Sequence, residues 1–374
     1  MKKFFTSIGI MSGTSMDGID VSLINSDGEK NVYSLNDITY KYPKNLKNEI
    51  KNFITYVNKG NTSDIYKKKK YLKLEEKFNI LIKNKVKDFL KRFKISVSKI
   101  DVIGLHGHTI YHNPKRKISL QLGSGEFLAN NFKTKCVFNF RKNDIQNGGE
   151  GAPLVPIFHE AIFKDRELSR AVVNVGGITN ITFLGKKHRL ISSDIGPGNV
   201  LIDNFCERVL NQSFDFDGRN ASRGKLDSKL LNHWLQKSFI KKKIPKSFDN
   251  FFFDINKYVK TEKILTLNNS ENYNILCTLT HFTAKLIELS KVFFKCKIDE
   301  WIICGGGSKN LFLMKILSES LKKVSVSDEY GWDSNFIESQ AFAYLAIRKI
   351  LSLPSTFPET TGVLKPTVCG EIIG

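Results

Sequence analysis

Apolar and polar positions along the chain fall into two rounds of one pattern. Apolar runs of strand length come first, then longer stretches with an apolar position every third or fourth residue. In the first round, Phe4–Met11, Gly18–Asn25 and Asn31–Thr39 read as three strands. Asn45–Val57 and Asp64–Phe93 read as helices, the second long, charged and amphipathic. A short strand over Asp101–Leu105 runs into His106-Gly107-His108-Thr109, and Ser119–Leu122 and Lys135–Phe140 are strands flanking a helix over Gly125–Phe132. The second round opens with strands over Ala171–Val175, Asn180–Leu184 and Leu190–Ser193, then a helix over Asn199–Leu210. A long helix over Tyr273–Phe294, a strand over Glu300–Cys304 and a helix over Asn310–Leu321 follow. A strand over Val324–Ser327 and a helix over Phe336–Leu351 close the round.

Three strands followed by alternating helix and strand, twice over, predict an α/β fold with a helix-covered sheet in each half. The 374 residues are too many for one compact core and suit two domains. The Asn-, Gln- and Gly-rich stretch Arg141–Gly151 reads as the crossing between them. That puts residues 1–140 with about 352–374 in a first lobe and 141–351 in a second.

Composition narrows the class. A hydrophobic fraction of 41% and a charged fraction of 25% are those of an ordinary globular chain, and no run of about 18 uncharged apolar residues suggests a membrane span. The basic start Met1-Lys2-Lys3 precedes too short an apolar run for a secretory leader, so cytoplasmic residence is expected. The six cysteines are scattered without a Cys-x-x-Cys pair, which fits a reduced compartment and buried thiols with one at the surface. A net charge of +21 raises the question of nucleic acid, but the lysines of Lys67–Lys70, Lys83–Lys94 and Lys241–Lys246 have no stacking aromatics among them. They read as solvated helix faces, with no nucleic-acid partner expected. A positive field would still draw in an anionic sugar and a nucleotide.

Each half begins with a strand that ends in small residues. In Gly9-Ile10-Met11-Ser12-Gly13-Thr14-Ser15-Met16-Asp17-Gly18, glycine lets a phosphate approach backbone N–H groups, and Thr14 and Ser15 add hydroxyl donors. Asp17 and Asp20 are carboxylates suited to a hydrated Mg²⁺. Asn174-Val175-Gly176-Gly177-Ile178-Thr179-Asn180 occupies the comparable place in the second half. Tight hairpins would use glycine in the same way, but several such turns at strand ends favour a ligand. The first turn is neither a P-loop nor a dinucleotide fingerprint, because no Gly-Lys-Ser/Thr and no Gly-x-Gly-x-x-Gly is present there. Asp194-Ile195-Gly196-Pro197-Gly198-Asn199 joins a strand to a helix whose first N–H groups would favour an anion. Asp194 itself is placed either to take a proton from a nucleophile or to cap the turn. Gly305-Gly306-Gly307 leaves bare backbone after another strand, for a flat nucleoside or a simple loop.

These words resemble those of the anhydro-N-acetylmuramic acid kinase family, within the actin-like ATPase superfamily of sugar kinases and heat-shock chaperones. The resemblance rests on Met11–Asp20, Gly104–Ile110, Gly148–Pro156, Asn174–Asn180, Asp194–Asn199, Cys304–Gly307, Asp328–Gly331 and Glu338–Ala343. It implies two actin-like, ribonuclease H-like lobes with an active-site cleft between them that closes on ligands. It also implies that ATP and water act together on 1,6-anhydro-N-acetylmuramic acid to give N-acetylmuramic acid 6-phosphate, in cell-wall recycling. By position in the motif, Asp194 would be the base that activates water. Gly13, Thr14, Ser15, Met16, Asp17, Gly18, Ile19 and Asp20 would hold the ATP phosphates with Mg²⁺, aided by Gly176, Gly177, Gly196, Gly198, Gly305, Gly306 and Gly307. Arg141, Asp144 and Glu338 would meet the sugar. Arg141 fits either a bidentate fork on the lactyl carboxylate or a salt bridge, and Glu338 fits either sugar contact or a helix dipole. The family is commonly dimeric, and a homodimer is the expectation carried over. His108 stands where Gln is more usual, and Pro245–Asn250 departs from the usual Thr-Gly-Arg-Glu word. Rival readings are a sugar kinase without hydrolysis and a non-catalytic ATP-driven switch.

Overall fold

From Ser7 to Ser12 every residue of β1 (Phe5–Ser12) is buried, so this strand is covered on both faces and reads as a continuous apolar run. The computed structural model describes residues 3–374 apart from 14, 15, 17, 61, 63, 64, 66, 67, 187, 188, 249–251 and 260–268. In the first sheet, β1 pairs antiparallel with β2 (Ile19–Ser26), and β2 with β3 (Val32–Tyr40). On the other side of β1 lies β4 (Val102–Asn113), parallel to it and paired with the hairpin strand β5 (Ile118–Leu122). Beyond β4 comes the parallel strand β6 (Lys135–Phe138).

The second sheet repeats that order. β7 (Arg170–Val175) pairs antiparallel with β8 (Ile178–Gly185), and β8 with β9 (Arg189–Pro197). On its other side β7 runs parallel to β10 (Glu300–Cys304), which runs parallel to β11 (Val324–Val326). Orders β3-β2-β1-β4-β6 and β9-β8-β7-β10-β11 are the same ribonuclease H-like arrangement. The doubled α/β class expected from the sequence is what the structure shows. A last strand, β12 (Glu371–Ile373), adds an antiparallel edge to β6.

Helices α1 (Lys44–Asn58), α2 (Lys69–Arg92) and α3 (Gly125–Phe132) cover one face of the first sheet. Leu46, Ile50, Phe53 and Val57 of α1 and Leu74, Phe78, Ile82, Val86 and Phe89 of α2 recur at helical spacing and pack with Ile8 and Ile10. Two short helices absent from the sequence reading follow, α4 (Phe140–Gln146) and α5 (Pro156–Phe163). In the second sheet's unit are α6 (Val200–Phe205), α7 (Ser228–Leu235), also missed, α8 (Asn269–Ser290) and α9 (Leu311–Ser320). The last helices are α10 (Ile337–Ile350) and the single-turn α11 (Pro358–Thr361).

The chain divides into two compact units, Met1–Ile162 with Phe336–Gly374, and Phe163–Asn335. The sequence reading cut at 140/141 and 351/352; contacts place α4, most of α5 and α10 with the first sheet instead. For α10 the reason is backbone-level packing. A Cβ on Gly9 would lie 1.9 Å from the Ser339 carbonyl, and one on Gly104 would lie 2.1 Å from that of Phe342. Ser22 and Ser339 hydroxyls meet at 2.6 Å across the same contact. For α4, Phe140 and Ile145 are buried, and Asp144 accepts a 2.6 Å bond from Thr361 of α11. A polar composition concealed a helix that has only a few apolar anchors.

Two strands run further than the pattern predicted. β4 does not stop at Leu105, because His106 bulges out of its pairing with β1 and Gly107, at φ +75°, lets the strand resume. β9 continues past Asp194 in the same way, with Ile195 the extra residue opposite β8. Among the described residues, no helix is long and apolar enough to cross a membrane. The cysteines are free, and all but Cys296 are buried, as their scatter implied.

Because α10 rests on bare backbone, Gly9→Ala and Gly104→Ala should each lower the unfolding free energy by about 2 kcal/mol or more. Urea denaturation followed by circular dichroism reads this directly. Unchanged midpoints would mean that the helix does not depend on those glycines.

Candidate active site

At the end of β1 the Met16 N–H donates to the Gly13 carbonyl at 3.0 Å and closes a turn, with Met16 at φ 54° and buried. Thr14, Ser15 and Asp17, expected to contact phosphate and Mg²⁺, lie outside the described residues. Gly18 is fitted against Thr39, whose methyl would be 2.3 Å from a Cβ there. Ile19 is fully buried at the start of β2, and its neighbour Asp20 is half-buried with Oδ1 accepting from the Thr39 hydroxyl at 2.6 Å. Among the described residues there is no group of three or more His, Cys, Asp or Glu side chains fit to hold a metal. A hydrated Mg²⁺ asks for less, usually one or two carboxylates plus water and phosphate oxygens, and Asp20 is compatible with that role.

Behind this turn Ser12 links a half-buried tyrosine to a buried histidine. Its hydroxyl lies 2.5 Å from the Tyr42 hydroxyl and 3.0 Å from His108 Nδ1. Burial pulls the His108 pKa down to about 4, so the ring is neutral at pH 7. His108 is thus a core histidine.

The same unit holds Arg141, Asp144 and Glu338. Arg141 donates from Nε to His106 Nε2 at 3.2 Å and from Nη1 to the Gly151 carbonyl at 2.9 Å. These bonds engage Nε and Nη1, two of the five N–H donors of the guanidinium. Asp144 is fully buried: Oδ1 accepts from the Gly151 N–H at 2.7 Å, and Oδ2 from Thr361. Burial raises its pKa, against hydrogen bonds that act to lower it. The sequence reading set Asp144 against the sugar; in the structure Oδ1 holds the 149–151 loop and Oδ2 holds Thr361. Gly149 is required there, since a Cβ would fall 2.1 Å from Asp144 Oδ1. Glu338 is half-buried in the first turn of α10, where its charge suits the helix dipole.

In the second unit three glycine turns meet at the ends of β7, β9 and β10. The N–H groups of Gly198 and Val200 donate to the Gly177 carbonyl at 2.9 and 3.1 Å, and that of Asn199 donates to Gly176 at 2.8 Å. At the start of α6, where free donors were expected, the neighbouring hairpin thus takes up the N–H groups of Asn199 and Val200. Gly198, Gly305 and Gly307 are needed for this approach. A Cβ on each would lie 2.4 Å from the Gly176 carbonyl, 2.1 Å from Asn174 Oδ1 and 2.3 Å from the Val175 side chain, respectively. Gly196 faces the Leu286 side chain at 2.6 Å. Gly176 and Gly306 differ: the nearest atoms to a Cβ on them are 3.6 and 3.7 Å away. Gly306 is exposed. These two leave open backbone that a ligand can approach.

Asp194 sits on β9 just before the bulge, 6% exposed, with Oδ2 accepting from the Phe248 N–H at 2.8 Å. The segment 244–248 runs along β9 here. Lys246 donates its N–H to Ser193 Oγ at 3.0 Å and accepts from the Asp194 N–H at 3.0 Å. Its ammonium is tucked among the carbonyls of Phe239, Ile240 and Lys242 at 3.0, 3.5 and 3.3 Å. Burial and Lys242 pull its pKa down to about 8, against the pull of Asp194. The sequence reading of Lys241–Lys246 as a solvated helix face fails at Lys246, which is 6% exposed, and Pro245–Asn250 was seen only as a departure from a motif.

A family model described as anhydro-N-acetylmuramic acid kinase matches residues 5–374. The chain belongs to the anhydro-N-acetylmuramic acid kinase family. An enzyme of that name from Pelagibacter ubique (strain HTCC1062) is 38% identical over 387 residues, covering 100% of this chain and 99% of the relative. One from Rhodopseudomonas palustris (strain ATCC BAA-98 / CGA009) is 36% identical over 370 residues, covering 98% of each. Among solved structures, the activator of the 2-hydroxyisocaproyl-CoA dehydratase from Clostridium difficile with bound ADPNP aligns over 93% of this chain and 96% of its own. The TM-score is 0.43 and the identity 11%. Membership of that family makes the chain a kinase, a phosphotransferase.

In this kinase the sequence-predicted residues sort by unit. Gly13, Met16, Gly18, Ile19, Asp20, Arg141, Asp144 and Glu338 belong to the first, and Gly176, Gly177, Asp194, Gly196, Gly198, Gly305, Gly306 and Gly307 to the second. Sequence reasoning left the role of His106 open, between touching the sugar and holding the turn, and missed Lys246. His106 had a legible signal, a His-Gly pair inside an apolar strand, whereas nothing in the sequence marks Lys246 as buried.

If open backbone receives the nucleotide, Gly306→Ala should leave thermal stability nearly unchanged while weakening ATP binding about ten-fold. Gly305→Ala and Gly198→Ala should destabilise the fold by about 1–3 kcal/mol. Titration calorimetry and thermal melts separate the two classes. Acid should also unfold the kinase. Burial lowers His108 to about 4, and His112 and His159 to about 3, with Arg141 adding to the effect at His112. Their unfolded values are near 6.5. The unfolded chain therefore binds more protons in this window, so the stability present above about pH 6.5 is lost as pH falls towards 4. Urea midpoints measured from pH 7.5 to 5 should fall steadily, and His108→Gln should flatten that slope by about one proton.

Proposed function

We propose that the kinase hydrolytically opens 1,6-anhydro-N-acetylmuramic acid and phosphorylates oxygen 6, giving N-acetylmuramic acid 6-phosphate and ADP, in cytoplasmic recycling of cell-wall sugar. Membership of the family supports the substrate and the phosphoryl donor. The observation that carries the mechanism is Asp194: a nearly buried carboxylate beside the bulge of β9, oriented by the Phe248 N–H.

Asp194 acts as the base. It takes a proton from water as the water oxygen bonds to the anomeric carbon. The bond from that carbon to oxygen 6 breaks, and oxygen 6 keeps the electron pair. Oxygen 6 then attacks the γ-phosphorus, whose bond to the β–γ bridging oxygen breaks to release ADP. One water and one ATP are consumed per product, and the second hydrogen of the water stays on the new anomeric hydroxyl. Little covalent chemistry falls to the protein beyond this base, so positioning and charge neutralisation carry the rest.

Residues Gly13–Asp20 of the first unit and the open backbone at Gly176 and Gly306 are assigned to the ATP phosphates. Gly177, Gly196, Gly198, Gly305 and Gly307 shape those turns. Mg²⁺, bound through Asp20 with Asp17, would supply positive charge to the phosphate oxygens. Arg141 and Glu338 are assigned to the sugar, Arg141 to its lactyl carboxylate. Asp144 serves by fixing the loop that holds Arg141.

Asp194→Asn keeps an oxygen able to accept from the Phe248 N–H, so the fold should survive. Turnover should fall about 100-fold or more, the scale expected for loss of a general base, while ATP affinity stays within about two-fold. Near-normal turnover in this variant would overturn the assignment.

A further inference from the structure

His106 is held in one neutral form by what surrounds it. It is the bulged residue of β4, without a partner in β1, and the strand accommodates it because the next residue is a glycine. A side chain at position 107 would put its Cβ 2.0 Å from the Leu122 carbonyl. The His106 ring, 4% exposed, lies against Phe342 with centroids 4.4 Å apart. Nδ1 is 3.1 Å from the Gly107 carbonyl. A carbonyl only accepts, so Nδ1 carries the ring proton. Nε2 is left with a lone pair, and it receives the Nε–H of Arg141 at 3.2 Å. Burial, then the charge of Arg141, keep the imidazole well below its ordinary pKa, which preserves that lone pair at neutral pH.

The guanidinium is thereby held at two corners. His106 takes Nε, and the Gly151 carbonyl takes Nη1 at 2.9 Å. Gly151 is itself fixed by Asp144, and His106 by the bulge and Phe342. An arginine on a mobile side chain loses much conformational freedom when it binds an anion; one whose plane is already set loses less.

We propose that His106 is a positioning residue, whose ring nitrogen sets the plane of the Arg141 guanidinium before the acidic sugar binds. The proposal rests on the reading that Arg141 meets the lactyl carboxylate. It places His106 behind the arginine and not against the sugar. Its effect should therefore appear in the affinity for the carboxylate and leave the chemical step alone.

The test compares His106→Phe, which keeps the ring against Phe342 but removes the acceptor, with His106→Gln, whose side-chain oxygen can still accept from Arg141, and with Arg141→Ala. Each is assayed for KM and kcat with the anhydro sugar. Each is also assayed for competitive inhibition by the neutral anhydro sugar that lacks the lactyl ether. His106→Phe should raise KM for the acidic sugar about ten-fold, with kcat, KM for ATP and the inhibition constant of the neutral sugar within about three-fold of the parent. His106→Gln should recover most of the loss. If His106→Phe is too unstable to assay, His106→Gln and His106→Ala carry the same comparison.

Equal losses for the acidic and neutral sugars, or no recovery with Gln, would overturn the proposal. A carboxylate-specific loss in Arg141→Ala beside a normal His106→Phe would remove only the role of His106. Failure of Arg141→Ala to distinguish the two sugars would remove the reading of Arg141 and the proposal with it.

Discussion

Backbone meets backbone at the strand ends of the second unit, and the rest of its candidate site depends on that contact. The Gly176 and Gly177 carbonyls receive the N–H groups of Gly198, Asn199 and Val200, which lock the β9 turn onto the β7 hairpin. Gly305 and Gly307 let the turn after β10 close against Asn174 and Val175. Any side chain at Gly198, Gly305 or Gly307 would separate these turns, which makes glycine a steric requirement at each. Asp194 lies on the strand so anchored, and the Lys246–Phe248 segment orients it from the other side. For the base proposed at Asp194, these bonds supply a fixed direction.

The first unit applies the same rule with different partners. Gly9 and Gly104 allow α10 onto the sheet backbone, and Gly107 allows the bulge that turns His106 towards Arg141. Each sheet therefore carries one bulge beside a residue of functional interest, at His106 in β4 and at Ile195 in β9. Bulges re-aim side chains while leaving the remaining ladder intact. The doubled strand order thus supports two devices of similar geometry and different chemistry, a fixed cation in one unit and a fixed carboxylate in the other.

Much of this was legible in the sequence, and the losses have physical causes. The strands around Ile8, Val21, Val173 and Ile303 announced themselves through apolar runs, as did the amphipathic α2. β4 and β9 were cut short because a bulge interrupts the alternation without ending the strand. The Asn- and Gly-rich segment around Asp144 looked like a crossing because α4 is held by buried Phe140 and Ile145 and by Asp144 bonds that no periodicity reveals. Pro156 at the first position of α5 was a readable start signal that was missed. At the candidate site, glycine-rich words marked the turns, yet spacing could not tell packing glycines such as Gly198 and Gly305 from open ones such as Gly176 and Gly306. That distinction depends on neighbours distant in sequence.

The proposed reaction, with Asp194 as base, joins ring opening to phosphoryl transfer in one catalytic event. Turnover in water enriched in heavy oxygen, quenched early and read by mass spectrometry, tests this most directly. The account predicts one heavy oxygen on the anomeric carbon of each product and none in its phosphate. Product without solvent oxygen, or with the label in the phosphate, would contradict it.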